Sequence, residues 1–229
     1  MNTKHKKPTL TKKQRHKLRV QQVRRQKIFL TCLFLLIVGC ILLRFSKFSG
    51  RQEEAHQINA ACEAYRDEVS SEAAQYDMSD YVDLLLAVMM QESSGQGTDP
   101  MQSSEGAYNT RYPQQPNGIT DPSYSISCGI QELKYALEKA VCTGPTDLSK
   151  IRLALQAYNF GADSYFAYLE ENGQTVWTAQ SAQAFAQMAS GGTQRDEDDP
   201  LHDPAGPWDY GDQYYPDHVL RYYHLDNNS

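Results

Sequence analysis

The sequence predicts an all-α domain carried behind a single N-terminal transmembrane helix. Three observations predict it. An uncharged apolar run lies near the N-terminus, apolar residues recur at helical spacing through the rest of the chain, and alternating strand-like runs of any length are missing. The 229 residues leave room for one domain with accessories, or for two small domains, and no internal repeat or second domain pattern stands out.

Charge divides the chain. Residues 1–52 hold 14 of the 22 Lys and Arg and no acid, whereas 28 acids stand against 8 bases from residue 53 onward. Two parts so different belong in different surroundings. Residues 28–43 separate them with sixteen uncharged positions, "IFLTCLFLLIVGCILL". As a helix this run rises about 24 Å, slightly short of a ~30 Å hydrocarbon core. Lys27 and Arg44 can snorkel at its ends, with Phe45 and Phe48 at the interface. Eleven Lys and Arg precede the run, which places the N-terminus in the cytoplasm and the acidic bulk outside. The following "RFSKFSGR" offers no small-x-small cleavage site, so the run reads as an uncleaved signal anchor. The expected organisation is a basic cytoplasmic arm at 1–27, a transmembrane signal anchor at 28–44, a stalk at 45–51 and a helical domain at 52–229. This describes a single-pass cell-membrane protein whose domain faces outward. Topology accounts for the basic arm, and no nucleic-acid partner is expected.

Within the domain, Ile58, Cys62, Tyr65 and Val69 predict a first helix with one packed face. Tyr81, Val82 and Leu84 to Met90 are apolar nearly all round, so their helix is central, with Ser79 or Asp80 able to cap it. Ser93, Ser94, Gly95 and Gly97 end it near Glu92. A loop at 107–122 precedes a third helix marked by Ile130, Leu133, Leu137 and Ala140. Leu148, Ile151, Leu155 and Tyr158 mark a fourth, ending at "NFG", and Ala182, Phe185 and Ala189 a fifth, closed by Gly191 and Gly192. An acidic surface loop follows at 196–199. Pro216 suits the first turn of a last helix carrying Val219 and Tyr223.

The chemistry points to Glu92. A carboxyl at the C-terminal end of a buried helix meets desolvation and the negative end of the helix dipole, and both raise its pKa. That suits a general acid working near neutral pH. Glycosidic cleavage needs such an acid and usually a second carboxylate. Asp99, seven positions later on a small-residue loop, could face Glu92 across a cleft. Glu105 is open to two readings, a third cleft acid or a solvated surface acid. The six His form no HExxH or similar pattern, so neither metal nor cofactor is expected. Cys62, Cys128 and Cys142 have no CxxC or zinc-like spacing, and a Cys128–Cys142 bridge remains open.

The segments "MMQESSGQGTDPMQSSE", "DPSYSISCGIQELKYAL" and "LALQAYNFG" carry, in order, a Glu-Ser pair closing a helix, a Met-Gln, an Asp-Pro-x-x-x-Ile helix with Gly, and an Ala-Tyr-Asn-x-Gly. This arrangement resembles the lysozyme-like superfamily that includes goose-type lysozymes and lytic transglycosylases. The late "YGDQYYPDHVLRYY" is similar to that family's terminal Tyr-x-x-x-Val-x-x-Tyr helix. The nearest likeness is to the bacterial goose-type lysozyme domain of cell-wall hydrolases encoded on conjugative elements of Gram-positive bacteria, over residues 52–226.

The resemblance implies a lysozyme-like helical domain that cuts the peptidoglycan glycan strand between N-acetylmuramic acid and N-acetylglucosamine, opening the wall locally during conjugative transfer. It assigns Glu92 as catalytic acid and Asp99 as the group that positions or activates water. Gln102, Ser103 and Ser104 would line the cleft and bind sugar N-acetyl and hydroxyl groups. Tyr158 and Asn159 would face the acid and the sugar, with Tyr158 also burying its ring on the Leu148/Ile151/Leu155 stripe. The implied partners are the glycan strand, the membrane through residues 28–44, and a conjugative secretion apparatus. Two-domain relatives carry a Cys/His peptidase downstream, whereas this sequence ends at Ser229. Cys128 sits in a helix pattern without a His partner, so peptide cleavage is not expected. Two alternatives differ in kind: a lytic transglycosylase using the same Glu, and a non-catalytic wall-binding component of a conjugation apparatus.

Overall fold

Six consecutive residues, Leu84 to Met89, are fully buried in one helix, α3 (Val82–Glu92). An apolar surface all round a helix leaves it nowhere to lie but the centre, and the rest of the domain is built over it. The computed structural model describes residues 56–199 and 202–225. The expected basic arm, signal anchor at 28–44 and stalk lie outside the described residues. Among the described residues no helix is long and apolar enough to cross a membrane.

Around α3 stand α1 (Ala60–Glu63), α2 (Arg66–Gln75), α4 (Pro122–Lys139), α5 (Leu148–Phe160), α6 (Ala162–Glu171), α7 (Ala179–Ala189) and α8 (Tyr215–Leu220). The described residues are helical without a strand, apart from an isolated antiparallel bridge between Gln194 and Trp208. Helix α3 packs against α1, α2 and α8, while α4 and α5 pack together and α5 also meets α6 and α8.

Several boundaries differ from the expected ones. The first helix is two, because Asn59 caps the short α1 by accepting from Cys62 N (2.8 Å) and the chain breaks before α2. Neither Ser79 nor Asp80 caps α3. A 3-10 turn, Ser79–Tyr81, leads into it, and the Tyr81 N–H is already spent on Met78 O (2.9 Å). Helix α4 begins at Pro122, where the expected loop ends and the Asp-Pro-x-x-x-Ile motif begins, and its early buried face is made of Ser125, Ile126, Cys128 and Gly129. Gly129 is required there: a Cβ on it would lie 2.6 Å from the Met101 Cβ. Helix α6 was not expected at all. The possible Cys128–Cys142 bridge is absent, since Cys62, Cys128 and Cys142 are all free thiols.

Candidate active site

Glu92 is the last residue of α3. The chain turns away from it through Ser94 and Gly95, both in left-handed conformation (φ 55° and 74°). Glycine at 95 is doubly required, because a Cβ there would also lie 2.7 Å from Cys62 N of α1. Ser93 Oγ donates to Pro100 O (2.8 Å) and Asn59 Nδ2 to Ser94 O (3.0 Å), fixing this exit on both sides.

The carboxyl of Glu92 is held by Tyr215, whose hydroxyl donates to Oε1. Burial raises the Glu92 pKa from 4.5 to about 7; the Tyr215 bond opposes this, while the charges of Asp212 and Asp99 add to it. Tyr215 is itself buried, and burial together with the nearby Glu92 charge keeps its phenol well above the ordinary range, so it remains a donor. Its ring stacks on Tyr158 (centroids 6.3 Å apart, planes at 21°), and Tyr158 donates to Met101 O (2.9 Å). The two tyrosines form a wall that sets the position of the acid.

Asp99 occupies a different setting from the cleft-facing place on a flexible loop expected of it. It is 1% exposed and takes four hydrogen bonds. Oδ1 accepts from Ser103 N (3.1 Å) and Ser125 Oγ (2.6 Å), and Oδ2 from Ser104 N (3.2 Å) and Ser104 Oγ. Ser103 and Ser104 are likewise buried: Ser103 Oγ donates to Ser125 O (2.9 Å), and Ser104 Oγ accepts from Ile119 N (2.9 Å). These three residues tie the loop to α4 from beneath, and the two serines do not reach the cleft.

The cleft beside Glu92 encloses about 760 Å³. Of the expected binding residues, Gln102 and Asn159 line it, and the exposed Glu105 stands on its rim. Gln102, in left-handed conformation (φ 48°), donates from Nε2 to Asp99 O and to Asn117 Oδ1 (both 2.9 Å). Asn159 Oδ1 accepts from Asp212 N (2.7 Å). Asp212, Tyr215, His218 and Arg221 also line the cleft, and sequence reasoning did not single them out. The Asp-x-x-Tyr-x-x-His spacing just before and within the last helix was the available signal. Among the described residues no cluster of His, Cys, Asp and Glu could hold a metal ion.

A central apolar helix ending in a tuned glutamate is the arrangement the motifs implied, and the structure adds a terminal helix that returns a tyrosine to it. The lysozyme-like family profile matches residues 60–223. The chain belongs to the lysozyme-like family. This lysozyme-like chain is 34% identical over 173 residues to the bifunctional muramidase/DL-endopeptidase CwlT of Bacillus subtilis (strain 168), covering 76% of the chain and 43% of CwlT. It is 39% identical over 115 residues to the uncharacterized membrane protein YocA of the same organism, covering 48% of the chain and 45% of YocA. Among solved structures, a protein similar to lipoprotein of the NLP/P60 family from Staphylococcus aureus subsp. aureus Mu50 superposes with a TM-score of 0.62 at 27% identity, covering 76% of this chain and 56% of that one. The lysozyme-like chain thus spans less than two thirds of the length of each of these relatives.

Proposed function

We propose that this lysozyme-like protein is a peptidoglycan hydrolase that cleaves the glycan strand between N-acetylmuramic acid and N-acetylglucosamine, with Glu92 as general acid. The observation that carries the reading is the Glu92 carboxyl itself, raised to about 7 by burial at a helix end and aimed into an open cleft by Tyr215. A carboxylic acid still roughly half protonated near neutrality can protonate the glycosidic oxygen as its bond to C1 breaks. The cleft is lined by many polar side chains that suit a sugar, with the Gln102 and Asn159 amides on its walls. Asp99 contributes by positioning: its four donors fix the loop that carries Gln102. The resemblance to CwlT, named a muramidase, supports the same chemistry.

The protein acts from the membrane in this reading, anchored through residues 28–44 with its N-terminus in the cytoplasm and its domain facing the wall, where it opens peptidoglycan for a conjugative apparatus. Charge asymmetry supports the topology. Protease added to intact protoplasts should remove the domain, and a protected domain refutes the topology.

A lytic transglycosylase is the second reading, and one observation favours it: the second acid expected from the motif, Asp99, has no face on the cleft. Mass spectrometry of muropeptides released from purified walls by the full chain decides. Reducing ends mean hydrolysis and anhydro-muramyl ends transglycosylation. Walls that bind the protein and release nothing would leave a wall-binding component.

A further inference from the structure

We propose that Asp212, held in place by His218, is the carboxylate that activates water in this cleft; the inference rests on Glu92 acting as general acid.

Lone pairs separate the two candidate carboxylates. Each carboxylate oxygen accepts about two hydrogen bonds. Both oxygens of Asp99 already accept two apiece, inside the protein. Asp212 has a side chain 29% exposed and lines the same cleft as Glu92. Its Oδ1 accepts from Tyr214 N (2.9 Å) and its Oδ2 meets His218 Nδ1 (2.6 Å), so each oxygen keeps one site for a water.

The backbone of Asp212 is fixed as a catalytic carboxylate requires. Its N–H donates to Asn159 Oδ1 (2.7 Å), and its carbonyl accepts from Gln156 Nε2 (2.8 Å). Gly211 makes this approach possible, since a Cβ there would lie 2.6 Å from Asn159 Oδ1 and the residue is left-handed (φ 49°). Asn159 therefore serves Asp212 as well as lining the cleft. The Asp212 charge also acts on Glu92 ahead of that of Asp99, consistent with the nearer place in the site. His218, whose pKa is raised chiefly by its bond to Asp212, clamps the carboxylate in one orientation.

The step balances. Glu92 gives its proton to the glycosidic oxygen as the C1–O bond breaks. Water forms the new C1–O bond and passes a proton to Asp212. Solvent then takes the proton from Asp212 and returns one to Glu92.

The test compares the full chain with Asp212→Asn and Asp212→Ala on purified walls, scoring released ends by mass spectrometry and folding by thermal melt. Turnover should fall on the order of 10²–10⁴-fold in both. Sodium azide should restore product from Asp212→Ala, now carrying azide at C1, because a small anion fills the vacated space and needs no base. Azide should do nothing for Asp99→Asn. Activity of Asp212→Asn within a few-fold of the parent overturns the proposal, as does a folded Asp212→Ala that azide fails to rescue. Should Asp212→Ala not fold, the turnover of Asp212→Asn decides. A parent that releases nothing removes the underlying function as well, whereas a parent releasing reducing ends beside an unimpaired Asp212→Asn removes this inference alone.

Discussion

Tyr215 donates its phenolic hydrogen bond to Glu92 across 123 positions of chain, so the last helix acts on the protonation of the residue that ends the central one. The bond favours the ionised carboxyl, while burial favours the neutral one, and burial wins. Tyr215→Phe keeps the ring and its stacking on Tyr158 but removes the donor. The Glu92 pKa should then rise further, moving the alkaline limb of the pH–rate profile upward, and turnover should fall as the acid loses its fixed orientation. A limb that stays in place, or moves down, would show that another group governs it.

Glu92→Gln should fold, bind walls and lose turnover by ~10²-fold or more, because an amide fills the space without an acidic proton. Release of muropeptides within a few-fold of the parent would assign the chemistry elsewhere.

Asp99→Asn should lower stability, in contrast to an acid on a free loop. Whichever way the new amide turns, its NH2 faces a backbone N–H, that of Ser103 or of Ser104. Leaving such a buried donor unpaired costs ~1–3 kcal/mol, a drop of roughly 2–9 °C in melting temperature for a domain of this size. An unchanged melt would mean that the loop does not depend on this carboxylate.

Glu132 gives a stability prediction with a definite sign. Its carboxylate lies on α4 directly beneath Gly106, whose Cβ, if present, would fall 1.5 Å from Oε1, and that oxygen is buried without a partner. Burial raises its pKa from 4.5 to about 7 against the pull of the Tyr108 and Ala107 backbone. The folded-state pKa lies above the unfolded one, so the contribution to stability is fully present below about 4.5 and is lost as pH rises through about 7. Glu92 adds a contribution of the same sign over the same window. Urea midpoints should therefore fall between pH 5 and pH 8, and Glu132→Gln should flatten part of that fall. A parent midpoint that rises over the interval would contradict both carboxyl assignments.

What the sequence disclosed depended on how far each cause extends along the chain. Helix α3 and its terminal Glu92 were legible because an all-apolar run and the break after it are local facts. Tyr158 and Asn159 were legible from a contiguous motif on the α5 stripe. Helix α6 was not, because Gly161 (φ 85°) reads as a stop and only Tyr165 and Leu169 are buried on the helix after it. The start of α4 was legible from the Asp-Pro-x-x-x-Ile motif, whose Gly129 admits Met101. The burial of Asp99 was hidden: hydrogen bonds hold it inside, and hydrophobic periodicity carries no trace of them. Tyr215, Asp212 and His218 reach the site only through the return of α8 to α3, a contact no local pattern records.

The three thiols of the domain have a further consequence. Burial holds Cys62 at about 11, so it stays protonated and inert, and neither Cys128 nor Cys142 is cross-linked. Packing and hydrogen bonds therefore keep these helices together, with no covalent staple among the three thiols to make or break. Such a domain can reach its fold without an oxidant or a disulfide isomerase. A reductant that breaks disulfides finds nothing to cut among these three thiols.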